Sequence, residues 1–164
     1  MREAILEELG LMPLWQLRRS ADETADAAAP ALGIVADLTV VSVSHDNGLA
    51  GWILLDEALS GDEMVLFANL LQAMRLRQAG IAEFAYAGLP QAAEASQTQW
   101  VWVMGVKLAQ QMLENDLPAV ELVRQSWRWQ GLPLFASARP RELILHPQDK
   151  AGLWAGWCGW LAAQ

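Results

Sequence analysis

WVWVMG, residues 100–105, is apolar at every position before its glycine. A strand with one wet face alternates apolar with polar residues. An unbroken apolar run is the pattern of a strand covered on both faces. That segment asks for helices above and below a sheet, and the chain around it supplies them. VKLAQQML (106–113) follows at once as a helix. LTVVSVS (38–44) is β-branched and ends in turn chemistry from His45 to Gly48, so it reads as a first strand. WILLD (52–56) is a second apolar run. In DEMVLFANLLQAMRLR (62–77), Met64, Val65, Phe67, Ala68, Leu71 and Met74 recur at helical spacing. Ser60 is its expected N-cap, and Asp62 and Glu63 suit the positive end of the helix. IAEFAYAG (81–88) reads as a short strand. Trp127–Arg128–Trp129 alternates, and Gln130–Gly131 is expected to turn the chain into LPLFAS (132–137). This succession predicts an α/β fold with a mostly parallel sheet flanked by helices.

The last helix is expected to start near Pro147. It places Leu153, Trp154, Trp157, Trp160 and Leu161 in one arc of about 120°. Ala151, Gly152, Ala155, Gly156, Gly159, Ala162 and Ala163 lie opposite. The large face is expected to pack on the sheet. The small face either stands exposed or lets a second surface approach closely.

The chain of 164 residues suggests one domain, and 54% hydrophobic residues with nine Trp are too many for a disordered protein. The net charge of −8 is uneven. Between Ser20 and Met74 there are nine carboxylates and no Lys or Arg. Such a surface repels phosphate, so direct nucleic-acid binding is not expected. Cys158 is the single cysteine, which excludes an intramolecular disulfide and a cysteine-built cluster; it reads as a small apolar side chain. His45 and His146 have no zinc-ligand spacing around them, so neither a metal nor a cofactor is expected. Ser42 and Ser44 before His45 form a strand tail, not a nucleophile elbow, and no Gly-rich phosphate loop is present. Glu3, Glu7 and Glu8 argue against a signal peptide, and the uncharged stretch from Ala151 to Ala163 is too short to span a bilayer. A cytoplasmic location without membrane contact is the expectation.

The N-terminal region reads differently. Ile5, Leu6 and Leu9 mark a short helix capped by Gly10. Residues 20–32 are rich in Ala, Asp and Glu, contain Pro30 and have no apolar period. The organisation is therefore a docking peptide (1–19), an acidic Ala-rich linker (20–35) and an α/β domain (36–164). A short amphipathic segment on a tether suits partner docking, with Trp15 as an anchor and Arg18 and Arg19 placed for partner carboxylates. The alternative is that residues 1–19 fold back on their own domain.

Two resemblances follow. From Trp100 onward, VWVMGVKLAQQML and then SWRWQGLPLFASARPRELILHPQDKAGLW are similar in layout to the C-terminal half of the family-four uracil-DNA glycosylases. That family has a strand ending in Gly before a helix, a hairpin with a Gly-x-Pro turn, a His-Pro motif and a last helix after a Pro. WILLDEALSG falls where the family puts its water-activating loop. The family's His-Pro is Arg139–Pro140 here, its cluster cysteines are missing, and its loop is Asp56–Glu57–Ala58–Leu59–Ser60–Gly61. The resemblance implies a glycosylase-like fold without the active site, with Asp56 and Glu57 left as solvated acids at a strand end. An active DNA-repair enzyme of the same fold is the alternative, and an orphan interaction domain is another.

The second resemblance is to the psi subunits of bacterial DNA polymerase III, which carry an inactive glycosylase-like domain. It rests on Leu9, Gly10, Leu11, Trp15, Leu17, Arg18 and Arg19 at one end. At the other it rests on Leu145, Pro147, Ala151, Leu153 and Trp154. The spacing from Leu11 to Trp15 is one residue longer than in that family. The resemblance implies a non-enzymatic bridge. The N-terminal residues would bind the clamp-loader collar (gamma/tau), and the domain would bind the chi subunit, which in turn contacts single-stranded DNA-binding protein. The small face at Gly152 and Gly156 is the expected chi surface.

Overall fold

A computed structural model describes residues 36–163. The docking peptide and linker lie outside the described residues. Strands β1 (Asp37–His45) and β2 (Ala50–Leu55) form a hairpin. Its turn is closed by the Gly48 N–H donating to the His45 carbonyl, with Gly48 at φ 89°. Helix α1 (Gly61–Ala73) starts at Ser60, whose N–H and hydroxyl both donate to the Glu63 carboxylate at 2.7 and 2.8 Å. β3 (Leu76–Ala85) returns along the outer edge of β1. A short 3₁₀ turn, Tyr86–Gly88, leads into α2 (Leu89–Ala95) and then β4 (Trp100–Met104). There follow α3 (Val106–Leu113), α4 (Ala119–Arg124), β5 (Trp127–Trp129) and β6 (Leu132–Ser137). α5 (Pro140–Leu145) and α6 (Asp149–Ala162) complete the described chain.

The six strands form one mixed sheet in the order β3-β1-β2-β4-β6-β5. Only the central pairs, β2 with β4 and β4 with β6, run parallel. The other three pairings are antiparallel. The expected mostly parallel sheet is thus limited to the three middle strands. The tight turns at Gly48 and Gly131 each reverse the chain into a neighbouring strand, and β3 adds a third antiparallel edge. The helix expected over 62–77 stops at Ala73. Arg75 adopts a left-handed backbone (φ 55°), which swings Leu76 into β3. That strand is accordingly longer than the segment 81–88 suggested.

β4 is buried at all five positions, as its composition requires. Alternate residues feed two cores. Trp52, Leu54, Val101, Val103, Leu134 and Ala136 pack with residues of α2, α3 and α4. Ile53, Leu55, Trp100, Trp102, Met104 and Phe135 pack with residues of α1, α5 and α6. The second core is an aromatic cluster. The Trp157 ring lies 5.1 Å from Trp160, 5.6 Å from Trp100, 6.1 Å from Phe135 and 6.2 Å from Trp102, centroid to centroid. Such pairs add about 0.5–1.5 kcal/mol each beyond the area they bury. Trp102 Nε1 donates to Ser137 Oγ at 2.8 Å, whereas the buried Trp100 Nε1 has no partner among the described residues.

The cluster accounts for one glycine. Gly51 pairs with Trp100 in the β2–β4 register, and the Trp100 indole lies where a Gly51 side chain would be. Gly51→Ala therefore overpacks the sheet and is expected to cost about 1–3 kcal/mol. Urea unfolding should show a lower midpoint at unchanged slope. An unchanged midpoint would contradict this packing.

Candidate functional site

Parallel strands all present their carboxyl ends at one edge of a sheet, and ligands of open α/β sheets bind in the crevice outside that edge. Here β2, β4 and β6 end together at Leu55, Met104 and Ser137. Three chemically distinct residues come next. Asp56 follows β2, Gly105 follows β4, and Arg139 stands two residues beyond β6 as the N-cap of α5.

The Arg139 guanidinium spans the crevice. Nη2 bonds the Asp56 carboxylate, and Nη1 donates to Glu57 Oε1 at 2.9 Å. The arginine is held at its base as well, because its backbone N–H donates to Glu142 Oε2 at 2.9 Å. Gly105 makes room for it. With φ at +142° it has a backbone that L side chains rarely adopt, and a Cβ there would stand 3.3 Å from Arg139 Nε and 3.5 Å from Asp56 Oδ2. The Gly105 N–H donates to the Ser137 carbonyl at 2.9 Å, tying the ends of β4 and β6 together beneath the guanidinium.

The Asp56 side chain is only 5% exposed, that of Arg139 26% and that of Glu57 63%. Burial pushes the Asp56 carboxyl above the ordinary carboxylate range. Attraction and hydrogen bonding from Arg139 pull it back, and the Glu57 charge adds a further upward push. Leu59, Glu63, Met104 and Pro140 close the remaining sides. The space left is about 20 Å³, room for a single water. A carboxylate so placed has the desolvation of a general base, but its lone pairs face a fixed cation.

The other expected residues are not gathered here. His45 lies at the end of β1, its Nδ1 accepting from the Asn47 N–H at 3.2 Å and its ring 6.2 Å from Trp157. His146 is exposed after α5, and Cys158 is exposed on α6. Among the described residues no three His, Cys, Asp or Glu side chains are grouped as metal ligands would be. No described helix is long and apolar enough to cross a membrane.

On α6 the large face divides. Leu153, Trp157 and Trp160 are buried, but Trp154 is 47% exposed, because an arc of about 120° is wider than the strip the sheet can cover. The small face divides too. Gly152 meets open space, whereas Gly156 is half-buried with its Cβ direction 3.2 Å from the Phe135 ring and 3.6 Å from the Val123 carbonyl. Gly156 is a packing glycine of the domain itself. Leu9, Gly10, Leu11, Trp15, Leu17, Arg18 and Arg19 lie outside the described residues.

Asp56, Glu57 and Arg139 each stand out in the sequence, but separations of 82 and 83 residues conceal their pairing. Comparison with protein-family models, characterised proteins and solved structures gives no match.

Removing the cation strands a buried carboxylate. Arg139→Gln is expected to cost about 2–3 kcal/mol at neutral pH, less than a fully buried pair because the arginine is partly wet. Asp56 has a raised pKa in the folded state, so its ionisation weakens the fold as pH rises through that value. Without Arg139 the pKa rises further and this loss grows. The gap between wild type and variant should therefore narrow as the pH falls toward about 4, where carboxylates begin to protonate. Denaturant melts across pH test this, and a gap independent of pH would remove Asp56 as its origin.

Proposed function

We propose that this chain is a non-enzymatic adaptor of the psi type in bacterial DNA polymerase III, built on an inactive uracil-DNA glycosylase-like domain. The observation that carries the reading is the crevice at the carboxyl ends of β2, β4 and β6. A glycosylase must admit a flipped base there and stabilise charge developing on it. In this chain Arg139 is paired to Asp56 and Glu57 across that position, and the remaining space fits one water. The α/β layering around three parallel central strands supports the fold part of the reading. The acidic balance supports a role that touches proteins rather than phosphate.

In this reading Leu9, Gly10, Leu11, Trp15, Leu17, Arg18 and Arg19 bind the clamp-loader gamma/tau collar. The domain holds the chi subunit and, through it, single-stranded DNA-binding protein. Within the small face of α6, the contact with chi falls on exposed Gly152 rather than on Gly156, which Phe135 covers.

A fluorescent peptide of residues 1–19 should bind purified gamma/tau complex, and Trp15→Ala should weaken it at least tenfold, about 1.4 kcal/mol. A wild-type peptide that does not bind would overturn the adaptor reading, as would release of uracil from DNA above background. Gly152→Asp leaves the core untouched and should weaken binding to chi. Unchanged affinity would move chi off this face.

A further inference from the structure

The opposite end of the sheet carries a larger opening. A hollow of about 470 Å³ lies where α2, the α2–β4 turn and the β5–β6 hairpin meet. That volume is in the range of ligand sites. Gln91 comes from α2, Gln97 from the turn and Gln130 from the hairpin, and all three line the hollow. None of the three side-chain amides hydrogen-bonds to another described residue, although the Gln97 backbone N–H donates to the Glu94 carbonyl at 3.2 Å. Two of them stand on left-handed backbone, Gln97 at φ 55° and Gln130 at φ 51°. Glycine or asparagine is the usual occupant of such positions, and glutamine there costs about 1 kcal/mol. The floor is firm, since Ala93 and Thr98 are buried and Thr98 Oγ1 is held by Ser96 Oγ at 2.6 Å. Among the described residues that line it, Glu94 is the sole ionised side chain, and the hairpin's Arg128 is held on the Gly131 carbonyl at 3.0 Å.

We propose that this hollow binds an extended peptide segment carrying a lysine or arginine. A primary amide offers one donor group and one acceptor, as a peptide unit does, so convergent glutamines can pair with a backbone laid across them. Glu94 takes the cation. The same lining disfavours phosphates and other anions, which would meet a carboxylate and no base. This inference goes beyond the adaptor reading and does not depend on it.

The test is an NMR titration of the isotope-labelled full chain at physiological salt with the probe acetyl-Ala-Lys-Ala-Lys-Ala-amide. The glutamate counterpart of that peptide serves as control. The lysine peptide should shift the amide signals of Gln97, Thr98, Gln130 and Gly131 saturably, and the glutamate peptide should not. Glu94→Gln should weaken the apparent affinity at least threefold. Gln97→Gly should weaken it too while raising the unfolding midpoint, because glycine relaxes the left-handed turn as the amide is lost. Shifts spread over the acidic surface instead, shifts shared by both peptides, no shifts, or an affinity insensitive to both variants would each overturn the proposal.

Discussion

The contact of Trp157 with Trp100, Trp102, Phe135 and Trp160 is the joint on which the domain is assembled. Trp100 and Trp102 belong to the middle strand and Phe135 to the next one along, so α6 is fastened to the sheet at its centre rather than at an edge. The consequences reach further. Gly51 must lack a side chain because Trp100 occupies its space, and a Cβ at Gly156 would press on the Phe135 ring from 3.2 Å. Ser137 must be polar in an apolar layer because Trp102 Nε1 donates to it. Three separate sequence choices thus answer to one cluster of rings.

The same sheet has two ends of opposite character. At the carboxyl end of its parallel strands, charges are close and paired, with Asp56 buried, Arg139 partly wet and Glu57 in solvent. At the other end three glutamines and one carboxylate, Glu94, line an open hollow. An ion pair that is mostly buried adds little net stability compared with apolar residues of the same shape, but leaving one member alone is costly. The bridge of Arg139 to Asp56 and Glu57 therefore ties the loops after β2 and β6 to each other more than it adds net stability.

The sequence is most legible where one element is its own cause. WVWVMG, VKLAQQML and LPLFAS match β4, α3 and β6 because burial and local spacing agree there. The helices α2, α4 and α5 are six or seven residues long, too short for an apolar period to repeat, and nothing in the pattern announces them. Strand direction is equally silent. Val41 and Val43 face one core and Val40 the other whichever way the neighbour runs, so the mixed sheet is visible only in the turns at Gly48 and Gly131. At the crevice, the unusual residues are readable singly. Their joining depends on three strand ends meeting, and that is a property of the assembled sheet.

The ring cluster has a spectroscopic consequence. Trp157 and Trp160 are stacked with their planes 26° apart at 5.1 Å, and Trp100 is tilted against both. Indoles this close share excitation energy and couple their transition dipoles. The near-ultraviolet circular dichroism of the protein should thus be dominated by the seat of α6 on the sheet. Trp154, exposed outside the cluster, adds little to that signal.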